Sequence, residues 1–553
     1  MGSHPTWIGD RGLFGYLHVP DQGAARAAVV VCPSLGAEAA WSYRGLRGVA
    51  EGLCRRGLAV LRFDYGGSGQ SAGDIEGGSE VDFAGDVREA FAYLATTGLR
   101  PAGAVVFGIG AAVLAEARAG EEPLDAVALW QPAVSGRRWV REQTALIGMG
   151  GGSPPAPLEP GELPGLVLPP AVRSDIERMK TRMGADLTRR ALVLSDPEGA
   201  ARRLAEDAGV DWVEAVDSGE LLFGFRRPLA SMGAIVDWMD RCFAGRPDTR
   251  LAMPVIRDSV SIPVAAGGAV VRERFAGPQL GSLFGVVTEP VQPRPTDYAV
   301  FVTTSTEPAI GPGRAWVHLA RALAQHGWTV LRLDLHGFGD SPPAEGQYLD
   351  TCYPAAGADD VVAAIRALTG GATGSAVVGG MCSGSYFAIQ AAARIPTRTV
   401  IGLSPVFEVP RVMRGPQGPA SEHAGWRTSL RAVAQRPAVL KLRRRAGAVA
   451  WRMAHVTGVR RSPVATARSV AAQGAELVLV CGPDDAERLQ RRGGWILNRL
   501  MGQGRVRYSV LPHLGHSVLT RDERLAVEAL LLDHLVPTGP SGDFAASGQR
   551  AAS

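Results

Sequence analysis

The sequence has no CxxC pair. Its six cysteines, Cys32, Cys54, Cys242, Cys352, Cys382 and Cys481, are scattered along 553 residues. That spacing fits neither a disulfide scaffold nor a zinc site and points to reduced thiols in a cytoplasmic protein. No apolar run reaches about 18 residues, so no integral membrane association is expected. The N-terminus has no basic segment followed by an apolar one, so no secretory signal is expected. The net charge of +4 creates no overall field for a polyanion. Turn formers are plentiful, with 70 Gly and 38 Pro, and a composition 46% hydrophobic and 20% charged suits a soluble globular protein. The length calls for two or more domains.

The chain repeats itself. Leu13-Phe14-Gly15 and Pro20 recur as Leu283-Phe284-Gly285 and Pro290. Leu61-Arg62, Asp64, Gly67, Gly69 and Ser71 recur as Leu331-Arg332, Asp334, Gly337, Gly339 and Ser341, again 270 positions later (331 against 61, 283 against 13). One offset held over two separated blocks implies two copies of one domain, 1–245 and 246–536, joined near Phe243–Val255, with a small polar tail at 537–553 that is expected to be disordered.

Each copy alternates short apolar runs with amphipathic stretches. In the second, "YAVFVTT", "WTVLRLDL", "SAVVGG" and "TVIGLSP" read as buried strands, and "RAWVHLARALAQHG", "DVVAAIRALTG" and "SYFAIQAAARI" as helices. The expected fold class is α/β, a mainly parallel sheet with helices on both faces. The stretch "VVGGMCSGS" puts Cys382 at a strand-to-helix turn, on the sheet edge where such folds place ligands. A turn of the form Gly-x-Ser-x-Gly exposes a serine nucleophile; here its centre is Cys382, between Gly380 and Gly384, with Ser383 beside it. Ser341 and Asp340 read as turn formers.

In this arrangement both halves resemble the α/β-hydrolase superfamily, over most of 10–245 and 255–535. A cysteine in place of the usual serine is also found in dienelactone hydrolases. "GPGRAWVHLARALAQHGWTVLRLDLHGFGDS", "GGMCSGSYFA" and "QPAVSGRRWVRE" resemble tandem hydrolase-like proteins of exopolysaccharide (exosortase-associated) loci. The resemblance implies a triad in the chain order nucleophile, acid, histidine. Cys382 is then the nucleophile, with Ser383 as the alternative. Asp485 is the acid, with Asp484 or Glu408 in reserve, and His516 of the Gly-His pair, rather than His513, is the base. The oxyanion hole would use the backbone N–H of Ser383 and one from the loop near Thr304 or Ser305. The competing readings are a Cys382 that is only a small buried apolar residue, a His516 on a surface loop and an Asp485 that caps a helix.

The first copy differs at each role. Its elbow "VVFGIGAAV" sets Gly110 where Cys382 stands, with Gly108 and Ala112 flanking. Pro197 aligns with Pro483, which sets Gly199 opposite Asp485, and Glu220 falls opposite His516. A pseudoenzyme is expected here; Asp196, Glu198 and Glu220 forming a separate acidic site is the alternative.

A cysteine nucleophile gives a thioester acyl-enzyme, which exchanges readily with CoA or carrier-protein thioesters and passes its acyl group to an alcohol or amine. Between the strand "VIGLSP" and the acid strand lies an expected helical lid, about 405–465. From Trp426 to Arg461 it holds ten Lys/Arg and no Asp/Glu, either a solvated face or a landing surface for an acidic partner. No nucleic acid is expected, since no binding fold accompanies the patch. The expected activity is acyl transfer or hydrolysis of an ester or thioester, in polysaccharide or specialised-metabolite biosynthesis, with no metal or organic cofactor. A plain esterase or thioesterase and a non-catalytic binding scaffold are the rivals.

Overall fold

The structure, a computed structural model, describes residues 2–77, 80–148, 158–217, 219, 226–264, 269–292, 297–305, 307–407, 409, 463–490, 501–502 and 504–536. The strands of the first half are β1 (Gly2–Ile8), β2 (Leu13–Val19), β3 (Ala24–Ala25), β4 (Ala27–Cys32), β5 (Leu58–Phe63), β6 (Pro101–Phe107), β7 (Ala126–Trp130), β8 (Glu162–Leu163), β9 (Leu166–Val167), β10 (Ala191–Ser195) and β11 (Asp211–Glu214). Those of the second are β12 (Thr249–Arg250), β13 (Ser259–Pro263), β14 (Val270–Phe275), β15 (Gly285–Pro290), β16 (Tyr298–Val302), β17 (Thr329–Leu333), β18 (Ala376–Met381), β19 (Thr399–Leu403), β20 (Glu476–Cys481) and β21 (Val506–Val510).

Two large sheets result, in the orders β1-β2-β5-β4-β6-β7-β10-β11 and β13-β14-β15-β17-β16-β18-β19-β20-β21. With the extra β13 set aside, the second order reproduces the first strand for strand. Each sheet opens with an antiparallel ribbon and turns parallel, at β5/β4 and at β17/β16. The central strands are apolar over their whole length because helices cover both faces: every residue of β4, β5, β6 and β18 is buried. The expected strands and helices of the second half are all present, the helices spanning Ala315–Gln325, Gly357–Thr369 and Ser383–Ala392.

The repeat is also a repeat of hydrogen bonds. Phe14 N donates to Ser71 Oγ at 2.8 Å and Phe284 N to Ser341 Oγ at 2.7 Å. Ser71 and Ser341 donate onward to the carbonyls of Asp64 and Asp334, both at 2.7 Å. The carboxylates of Asp64 and Asp334 accept the amides of Gln70 and Asp340, both at 2.8 Å. Gly69 and Gly339, at φ +51° and +46°, stand where a side chain would overlap those same carboxylates. Ser341 is thus a turn former, as expected. Asp340 has a second use: its carboxylate pairs with buried Arg62 of the first half at 2.6 Å and accepts from Tyr43 at 2.5 Å.

The halves are held together from both sides. Arg314 of the second half donates to the carbonyls of Gly67 and Gly69, at 2.7 and 2.9 Å. Arg47 of the first donates to those of Gly339 and Ser341, at 2.6 and 2.8 Å. Trp7 and Phe14 pack on Phe275 and Phe284, with Trp7 and Phe275 stacked at 5.7 Å; each such pair adds about 1 kcal/mol to its burial. The connector is laid along the first half, where β12 pairs with β3 and Ala252 N donates to Thr97 O at 2.9 Å.

Candidate active site

β18 ends at Met381 and a helix begins at Ser383. Cys382 stands alone between them at φ +49°, ψ −114°, a region that L-residues seldom occupy without a reason. Its neighbours permit the turn. A Cβ on Gly380 would overlap the backbone of Gly384, and one on Gly384 would overlap the carbonyl oxygen of Thr303. All six cysteines are free thiols, and the other five are buried, while Cys382 is partly exposed. Ser383 is 1% exposed, and its hydroxyl accepts the Ser305 amide at 2.8 Å. The side chain presented by the turn is therefore the thiol.

β20 stops at Cys481 rather than at the aspartates, which fall in the first turn of the helix that follows. Asp484 faces solvent. Asp485 turns inward, and its Oδ2 lies 2.9 Å from His516 Nδ1; Arg488 pairs with its other oxygen. His516 sits in the turns after β21, and the Cys382 thiol lies beside the same imidazole in the cavity and favours its charged form. His513 is exposed. Burial alone would raise the Asp485 carboxyl, but the hydrogen bond and charge of His516, with Arg488, outweigh it and hold the group below the usual carboxylate range. The His516 imidazole is pushed up to about 10, first by the bond to Asp485 and then by the Cys382 thiol.

One further side chain, that of Tyr353, faces the thiol across the cavity. Tyr353 is raised above its ordinary range by burial and by the charges of Cys382 and Cys352. Sequence pattern gave no sign of this, because Tyr353 lies in an irregular loop. Of the two loop residues expected to offer a second oxyanion donor, Ser305 has its amide engaged by Ser383, which corrects that assignment and leaves the Thr304 amide. The hydroxyls of Thr304 and Ser305 are buried with no hydrogen-bond partner among the described residues.

The first half requires a second correction. Phe107 pairs with Trp130 as Met381 pairs with Leu403. Gly108 N donates to Trp130 O at 3.3 Å as Cys382 N donates to Leu403 O at 3.0 Å, and Gly108 has φ +56°. A Cβ on Gly110 would overlap the Pro33 carbonyl, just as one on Gly384 would overlap that of Thr303. The position equivalent to Cys382 is thus Gly108, and Gly110 matches Gly384. Spacing within "GIG" could not reveal which glycine takes the positive φ. A side chain on Gly108 would overlap Glu38, whose half-buried carboxylate accepts from Ser34, from Trp139 Nε1 at 2.9 Å and from Gln143 Nε2 at 3.0 Å. At the acid position, Leu194 pairs with Trp130 as Val480 pairs with Leu403, which keeps Gly199 opposite Asp485. Glu220, Glu408, the basic stretch Trp426–Arg461 and the tail lie outside the described residues.

The sheet ends of both halves face one cavity of about 540 Å³, within the usual range for a small-molecule site. Cys382, Asp485, His516 and Tyr353 line it from the second half, and Trp41, Tyr43, Ile75 and Leu166 from the first. Glu307 also lines it; burial raises its carboxyl to about 7 against the hydrogen bond from Trp41 of the first half. Among the described residues no group of three His, Cys, Asp or Glu side chains is placed to hold a metal ion, and no helix is long and apolar enough to cross a membrane.

Residues 313–478 match the family model described as "Serine aminopeptidase, S33". That segment contains Cys382 and ends before Asp485 and His516. No curated protein matches the chain. Similar solved structures include the esterase domain from a Rhodothermus marinus protein, at 17% identity over 44% of this chain and 99% of that one, with a TM-score of 0.29. An α/β serine hydrolase without lid from Xanthomonas campestris shares 19% identity over 45% and 98%, with a TM-score of 0.30. A dienelactone hydrolase from Anabaena variabilis shares 15% over 50% and 99%, at 0.29. At these scores the likenesses add nothing to the site itself, which rests on its geometry. The second half has the α/β-hydrolase fold, and the first half repeats its strand order.

Proposed function

We propose that the second half is an acyl transferase or hydrolase working through Cys382, His516 and Asp485. The observation that carries this reading is the chain of contacts from a strained, partly exposed thiol through His516 to Asp485. Asp485 orients the imidazole and favours its charged form. An imidazolium beside a thiol favours the thiolate, the nucleophilic state. Attack on an ester or thioester carbonyl forms the Cys382–acyl bond through a tetrahedral oxyanion. The Ser383 N–H, which has no intrahelical acceptor at the first position of its helix, and the Thr304 N–H receive that charge. His516 gives its proton to the departing alcohol or thiol. It then takes a proton from water, an alcohol or an amine as that acceptor breaks the thioester.

The first half is read as non-catalytic. Gly108 has no side chain to attack with, Gly199 none to orient a base, and the Glu38 carboxylate fills the space a nucleophile would need.

Intact mass after brief exposure to activated esters and acyl thioesters tests the proposal, with Cys382→Ala alongside. An acyl adduct on the parent and none on the variant is expected. No adduct on the parent, or equal labelling of both, sinks the reading and leaves the scaffold alternative.

A further inference from the structure

We infer that the first half builds the acyl-binding wall of the second half's site, and that this wall selects uncharged, apolar acyl groups over carboxylate-bearing ones. The inference rests on the reading of Cys382 as the acylated residue, and it names the substrate class of that site.

The first part follows from what surrounds the thiol. The cavity is continuous from Cys382 to the first half, where Trp41 and Tyr43 of the helix Gly36–Arg55, Ile75 of the loop after β5 and Leu166 of β9 line it. These residues are fixed from both sides. Pro164 O accepts the Ala37 amide at 2.9 Å, and Gly165 N donates across the halves to Leu519 O at 2.8 Å. Leu519 is three residues beyond His516, so the Leu166 hairpin is tied to the loop that carries the base. Without the first half, the chamber would be an open cleft on the second.

The second part follows from charge. Among the described lining residues, the two arginines are already engaged. Arg314 is spent on the carbonyls of Gly67, Gly69, Ser71 and Gly73, and Arg488 on Asp485. The lining carboxyls apart from Asp485 are Asp64 and Glu307, which burial raises to about 6 and about 7. Among the described lining residues, an acyl chain ending in a carboxylate would meet those acids and no cation that is not already paired, His516 being engaged by Asp485, while a hydrocarbon would meet rings and aliphatic side chains.

The test uses N-acetylcysteamine thioesters of acetate, octanoate and succinate on the full chain. The initial rate of adduct formation at Cys382 is measured in the parent, Ala40→Trp and Leu166→Ala. Ala40 lines the cavity on the first-half helix Gly36–Arg55, so a tryptophan there fills the chamber. Octanoyl is expected to label faster than acetyl, and succinyl about ten-fold more slowly than octanoyl. Ala40→Trp should lower the octanoyl-to-acetyl ratio about ten-fold, and Leu166→Ala should lower it less. Succinyl labelling as fast as octanoyl, or ratios that do not move in either variant, overturns the inference. If no thioester labels the parent, the acyl-cysteine reading fails by itself. Titration of octanamide into Cys382→Ala and Cys382→Ala/Ala40→Trp then decides the wall separately: weaker binding in the double variant supports it, and equal binding overturns it. Circular dichroism melting checks that each variant is folded.

Discussion

The Glu38 carboxylate stands where a side chain on Gly108 would have to go. Helix, loop and elbow of the first half close on that point through bonds from Ser34, Trp139 and Gln143, and the position that carries the thiol in the second half is filled in the first.

Restoring a nucleophile there should therefore fail. Gly108→Cys in a Cys382→Ala background is expected to form no acyl adduct by intact mass. It should also lose about 1–3 kcal/mol of stability, since it adds strain at a positive φ to an overlap with a hydrogen-bonded carboxylate. An adduct at position 108 would show that Glu38 yields easily.

The His516–Asp485 pair makes stability depend on pH with a definite sign. His516 is raised from its ordinary 6.5 to about 10 in the folded chain. Its contribution is thus full below about 6.5 and is lost as pH rises through about 10. The melting-temperature difference between the parent and His516→Gln should shrink steadily from pH 6 to pH 10. A difference that grows over that range would contradict the pairing.

The Tyr353 hydroxyl is coupled to the thiol across the cavity. Tyr353→Phe keeps the ring and removes that hydroxyl, so the acylation rate of Cys382 should fall about ten-fold with little change in melting temperature. An unchanged rate would reduce Tyr353 to a packing residue.

Across the halves, Arg62 and Asp340 form an ion pair at 2.6 Å with both side chains buried. Asp340→Ala leaves Arg62 Nη2 and the Tyr43 hydroxyl without their acceptor, with only His18 left to the guanidinium, and should cost about 3–5 kcal/mol in urea unfolding. The double variant Arg62→Leu/Asp340→Leu should recover much of that loss, because an apolar pair carries no uncompensated charge. A single variant that unfolds like the parent would mean the pair is solvated.

Much of this arrangement was legible in the residues. The offset of 270 located the two halves, and it survives as paired bonds at Ser71 and Ser341. The glycines around Cys382 marked the elbow, and the Gly-His pair picked His516 over His513. Asp485 was separated from Asp484 only by family spacing, because adjacent aspartates at a helix start point in different directions and pattern alone does not say which turns inward. The match of Gly110 to Cys382 failed for a related reason. Two glycines two apart are equivalent as letters, and only the β6–β7 register tells which one turns. Tyr353, Glu38 and Glu307 were invisible because each is brought to its place by contacts between elements far apart in the sequence, and such contacts leave no periodic trace.

The arginine contacts between the halves have a wider meaning. Gly69 and Gly339 occupy the same place in their copies, and each is gripped by an arginine of the opposite copy. The two grips come from positions that the offset does not pair, since Arg314 matches Arg44 and Arg47 matches Val317, so the contact approximates the self-complementary pattern of a two-fold dimer within one polypeptide without repeating it. Such a pair imposes the same shape on both members but not the same chemistry. One member is free to lose its reactive groups as long as its turn and its gripping arginine remain; under the proposed function the molecule is a dimer-like pair with a single working centre.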